Sequence, residues 1–111
     1  MTDKQYALCV EEAKHYTDRD AYISDLALSA IFAGDVSGNL PPDLPDKLGT
    51  IYDAYHRSVK DIAAAAGMSC RKLSERFLIP YRTLENWCGG QRVCPDYLRM
   101  MMQECLGLIS R

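Results

Sequence analysis

Three absences narrow what this 111-residue chain can be. No apolar run is long enough to span a bilayer and no secretory segment opens the chain, so a cytoplasmic protein is expected. No C-x-x-C pair occurs: the five cysteines, Cys9, Cys70, Cys88, Cys94 and Cys105, are odd in number, and His15 and His56 lie apart from them. That pattern argues against a zinc site and a disulfide framework, and leaves the thiols as small buried or half-buried hydrophobes. Nucleophile motifs and phosphate-cradling loops are lacking too, since Gly89-Gly90 alone is too short to be specific, so no enzyme activity, cofactor or metal is expected.

Positive charge is also scarce. The net charge of −2 argues, taken alone, against a polyanionic partner, because neutralising phosphates needs Lys and Arg. The average hides an asymmetry. Residues 1–57 hold 5 Lys+Arg against 10 Asp+Glu, whereas residues 58–111 hold 8 against 5. A polyanion should therefore meet the C-terminal half.

Hydrophobic periodicity reads as helices throughout. Tyr6, Cys9, Val10, Ala13 and Tyr16 follow the helical repeat over 3–16. The run Thr17-Asp18-Arg19-Asp20 resembles a capping box opening a second helix, with Thr17 as the cap, that continues to about Ala33. Its stripe of Ile23, Leu26, Ala27, Ala30 and Ile31 is widened by Tyr22, Leu28 and Phe32, and serves either the core or a dimer contact. Residues 34–45, with three prolines and two glycines, form a linker. From Asp46 to Ala66 the apolar register of Leu48, Tyr52, Tyr55, Val59 and Ile62 does not slip, which predicts one continuous helix, kinked near Ser58; the alternative is a new helix capped by Ser58 with Asp61. The expected organisation is an acidic helical extension over 1–45 and a second domain over 46–111.

The stretch from Ala66 to Pro95 carries the chemistry. Gly67 ends one helix, Ser69 caps the next, and Pro80 suits the first turn of a third. At 100° per residue Leu73 and Phe77 share one face of the first short helix, with Arg71, Lys72 and Glu75 pointing away. In the following helix Leu84, Trp87 and Cys88 fall together, leaving Arg82, Glu85 and Asn86 outward with Tyr81 and Thr83 on the flanks. Arg pairs bidentately with guanine and Asn with adenine in the major groove. Gln91 and Arg92, in the glycine loop that follows, can approach a phosphate. After Pro95 a last helix is expected to turn Leu98, Met101, Met102, Cys105 and Ile109 toward the core.

Within this stretch Gly67, Met68, Ser69, Leu73, Ile79, Thr83, Leu84, Trp87, Gly90, Arg92 and Pro95 fit a known spacing. It resembles the helix-turn-helix of the Cro/C1 repressor-like (XRE) family. The flanking ALSAIFAG and DYLRMMMQECLG are similar to small helix-turn-helix proteins of Gram-positive gut bacteria and their mobile elements. The resemblance implies an all-α helical bundle in which the helix from Ser69 to Phe77 positions and the helix from Tyr81 to Cys88 enters the major groove. It places Tyr81, Arg82 and Asn86 at base edges, and Ser69, Arg71, Lys72, Thr83, Gln91 and Arg92 nearer phosphates. Three positions depart from the family pattern. Cys70 replaces a glutamine that contacts DNA, so that contact is lost or passes to Arg71. Leu78 stands where a turn glycine is common; strain of about 1–2 kcal/mol for leucine at positive φ favours another turn geometry. Cys88 replaces a glutamate, while Glu85 on the reading face either selects cytosine or repels phosphate.

These features lead to the expectation of a sequence-specific, repressor-like regulator that binds double-stranded DNA, as a homodimer through its N-terminal helices. The competing reading is a protein-binding module on the same scaffold, such as an antitoxin or a phage or plasmid inhibitor, which the low net charge favours.

Overall fold

The computed structural model describes residues 1–32 and 42–111; most of the expected linker over 34–45 lies outside the described residues. Among the described residues there are seven α-helices and no strand: α1 (Asp3–Ala13), α2 (Arg19–Ala27), α3 (Leu44–His56), α4 (Val59–Ala65), α5 (Cys70–Arg76), α6 (Tyr81–Cys88) and α7 (Asp96–Cys105). None is long and apolar enough to cross a membrane. The helices divide into two units, one of Met1–Tyr55 with Ile109–Arg111, the other of His56–Leu108.

In the first unit α1 opens with a reciprocal cap. The Thr2 hydroxyl accepts the Gln5 N–H (3.1 Å), and the Gln5 side-chain oxygen accepts the Thr2 N–H (2.8 Å). The cap of α2 is Asp18 rather than Thr17, its carboxylate accepting the Asp20 N–H at 3.0 Å. Asp18 stands immediately before the first helical residue with extended backbone (φ −119°, ψ 118°), the position from which a side-chain oxygen reaches a free N–H of the first turn. This helix stops at Ala27, short of its expected end near Ala33. Ser29 is the cause: its hydroxyl donates to the Leu26 carbonyl (2.8 Å) and accepts the Ile31 N–H (3.3 Å), replacing the helical ladder with a local turn. Of the wide stripe, Tyr22, Leu26 and Phe32 are buried and so belong to this unit's own core, whereas Leu28 and Ala30 are exposed. The Tyr22 hydroxyl donates to the Cys9 carbonyl at 2.8 Å, and burial raises the pKa of both Tyr22 and Cys9.

The continuous helix expected over 46–66 is two helices. Ser58 is extended (φ −73°, ψ 168°) and its hydroxyl accepts the Asp61 N–H at 3.2 Å. A cap that satisfies a free donor at a new helix start offsets the ladder bonds lost at the break; α3 then buries Leu48, Ile51 and Ala54 in the first unit, and α4 buries Val59, Ile62 and Ala63 in the second. Pro45 sits in the first turn of α3, where its missing N–H costs nothing.

In the second unit α4, α5 and α6 pack on one another. Val59, Ile62, Leu73, Leu84, Cys94 and Met102 make its core, with Phe77, Ile79, Trp87 and Leu98 half-buried against them. Four of its helix ends share one backbone device. The N–H three residues past the last helical position reaches back to the carbonyl five residues before it: Met68 to Ala63 (2.9 Å), Ile79 to Ser74 (2.9 Å), Gln91 to Asn86 (3.0 Å) and Leu108 to Gln103 (2.9 Å). Each requires a left-handed residue. Gly67, Gly90 and Gly107 supply it at three ends, and Leu78, at φ 56°, supplies it between α5 and α6. The different turn geometry expected for leucine is therefore not adopted: the bonds that close α5 outweigh the strain at one residue. Leu78 is 91% exposed, so its side chain buries nothing in return. Leu78→Gly should stabilise the unit by about 1 kcal/mol, the relieved strain less the added freedom of the unfolded chain, and raise its melting temperature by a few degrees.

The last helix buries only part of the expected face: Met102 and Leu98 turn to the core as expected, Met101 and Cys105 do not. Met100, Met102 and Gln103 are buried, whereas Met101 and Cys105 face outward with Tyr97. Gln103 tolerates burial because both ends of its amide are hydrogen-bonded: Arg57 Nη1 donates to its Oε1 (3.3 Å) and its Nε2 donates to the Arg99 carbonyl (3.2 Å).

Candidate nucleic-acid interface

Pro80 (φ −52°, ψ 130°) is the residue just before α6, one position short of the first turn expected for it, and Leu84, fully buried against α4 and α5, fixes how the helix is rotated. With Leu84 inward, Arg82 and Glu85 are exposed and Asn86 is half-buried on the same outward side. Tyr81 and Thr83 are half-buried at its margins. The outward side-chain directions expected for α6 are those found.

The remaining expected residues fall into groups around this face. Ser69 caps α5, its hydroxyl accepting the Lys72 N–H at 3.1 Å, so that oxygen is engaged within the chain. Arg71 lays its guanidinium over the Tyr81 ring, 4.0 Å from the centroid, which ties the start of α5 to the start of α6. Thr83, Asn86 and Arg92 line one recess of about 550 Å³ together with Trp87 and Val93. Gln91 is exposed, with its side-chain oxygen held over Gly89 close enough that a Cβ there would displace it. Lys72, Arg82 and Arg92 are exposed and enter no ion pair among the described residues. Their charges are available to a ligand.

Several participants were not anticipated. Trp87, expected beside Leu84 in the core, is half-buried and forms a wall of the recess. Val93, 89% exposed, forms its rim. A second recess of about 250 Å³ continues from these residues and is lined also by Ser58, Gly90, Cys94 and Arg99. Arg99 is anchored there by donating to the Arg57 carbonyl and to Asp96, both at 2.7 Å. Sequence spacing carries no sign of this grouping, because Ser58, Trp87 and Arg99 lie on three different elements.

On the inner side of the same two helices, the thiols of Cys70 and Cys88 meet with their Sγ atoms 2.6 Å apart. Burial, with the neighbouring Cys70 thiol adding to it, pushes the Cys88 thiol up to about 12, so it stays protonated at neutral pH. The unit carrying these groups holds 8 Lys+Arg against 5 Asp+Glu within an acidic chain. No group of three or more His, Cys, Asp or Glu among the described residues is placed to hold a metal ion. No family model, curated protein or solved structure matches this chain.

Proposed function

We propose that this all-α protein is a sequence-specific, repressor-like regulator of transcription that binds double-stranded DNA, with α5 and α6 acting as a helix-turn-helix of the Cro/C1 type. The observation that carries this reading is the outward projection of Arg82 and Asn86 from one face of α6, with uncommitted cations on both sides of it. In this arrangement α6 enters the major groove, Tyr81, Arg82 and Asn86 meet base edges, and Arg71, Lys72 and Arg92 approach phosphates. Ser69 acts chiefly by holding the end of α5 in place, since its hydroxyl is already engaged.

Titration of the full chain with random duplex DNA at several salt concentrations tests the electrostatic part. Three phosphate-facing cations per chain give a slope of about −3 in log affinity against log salt. Absence of binding even at low salt would instead favour the scaffold as a protein-binding module.

A further inference from the structure

We propose that Cys70 and Cys88 are a thiol pair that closes reversibly to a disulfide, stapling the start of α5 to the end of α6. The two residues are 18 apart in sequence and on different helices, yet their Sγ atoms are direct neighbours at 2.6 Å. That separation exceeds the bonded distance by about half an ångström, so the bond forms with little movement of either helix. Both side chains are half-buried at the edge of the core rather than sealed inside it. Small oxidants can therefore reach them.

The other thiols are placed differently. Cys94 is buried and directs its thiol to the Pro95 carbonyl (3.6 Å), Cys105 is exposed on the outward side of α7, and Cys9 belongs to the core of the first unit. Cys70 and Cys88 are thus matched by geometry and not by spacing.

The chemistry balances with a low-molecular-weight disulfide of the glutathione class as oxidant. Cys70 loses its proton to water and attacks one sulfur of that disulfide, expelling one small thiolate and leaving a mixed disulfide. Cys88, held protonated until then, gives up its proton as it attacks the Cys70 sulfur and expels the second small thiolate. Both thiolates recover protons. Two protein thiols are oxidised by two electrons, and one small disulfide is reduced to two thiols. Excess small thiol runs the sequence backward.

The bond joins the two helices on which the proposed function depends, but its formation does not require that they bind DNA, and its test uses none. The full-length chain is incubated with oxidised glutathione and then digested with trypsin without reduction. Each cysteine falls in a separate tryptic peptide, so the pairing is read directly. The expected result is a single link between the peptides spanning 61–71 and 83–92, with an intact mass lower by two hydrogens. Closing this loop should raise the melting temperature of the unit by roughly 10 °C, and dithiothreitol should reverse the rise. Cys105→Ser, which removes the exposed thiol and its intermolecular coupling, should leave link and rise intact. Cys70→Ser and Cys88→Ser should each abolish both. Unlinked peptides, a different pairing, or a link without the rise in melting temperature would overturn the proposal; because the link is read in the unaltered chain, a variant that fails to fold does not obscure the answer.

Discussion

Replacing Arg82 and Asn86 together by alanine is expected to lower affinity for a selected DNA site by a hundredfold or more, while affinity for random duplex falls by much less. In the proposed arrangement each side chain meets a base edge, and a good bidentate contact of that kind contributes about 1–3 kcal/mol of discrimination. The two lie one turn apart on the same helix face, so their effects need not add, and the single variants should be measured beside the double one. Only Arg82 carries charge, so the salt slope should change by at most about one. The site is obtained by enrichment from a random duplex library, and affinities are compared by anisotropy. Equal losses on selected and random DNA would place both residues at phosphates. No loss on either would remove α6 from the interface.

The second large effect concerns what aims that face. Leu84→Ala removes a fully buried side chain from the contact of α6 with α4 and α5. Large-to-small changes of this kind cost about 2–5 kcal/mol through lost burial and the cavity left behind. A unit of about 50 residues has only a few kcal/mol of net stability, so most of it is at stake. Thermal melting should fall by roughly 10 °C or more, and amide protons of residues 56–108 should lose exchange protection. Arg82→Ala, a change to an exposed side chain, should stay within about 0.5 kcal/mol of the parent. This contrast separates the residue that orients the helix from the one it presents. A cost below about 1 kcal/mol for Leu84→Ala would mean that α6 is held by other contacts.

Much of this architecture was legible because helices repeat at a fixed period. The starts of α5 and α6 follow from Ser69 and Pro80, residues whose local chemistry favours a helix beginning whatever packs around it. The outward face of α6 follows from Leu84 in the same way, since placing one residue of a helix in the core fixes the direction of its neighbours. The charge asymmetry that draws attention to the basic half is a property of composition alone.

Other features were settled by competition between alternatives that the sequence leaves open. A register that runs unbroken from Leu48 to Ala66 is compatible with one helix or two, and the Ser58 cap selects two. Hydropathy turned Met101 and Cys105 inward, whereas α7 buries Gln103, because Arg57 and the Arg99 carbonyl satisfy its amide. Leucine at position 78 argued for a different turn, yet the closing bonds of α5 hold it at positive φ.

The sequence by itself thus determined the helical class, where the two short helices start and which side chains α6 turns outward, all consequences of interactions spanning a few residues. Tertiary structure alone decided the meeting of Cys70 with Cys88, the recess joining Asn86, Trp87 and Arg92, and the burial of Gln103. Cys70 meets Cys88, and Gln103 meets Arg57, at sequence separations of 18 and 46, so each contact depends on how whole helices pack rather than on any local pattern.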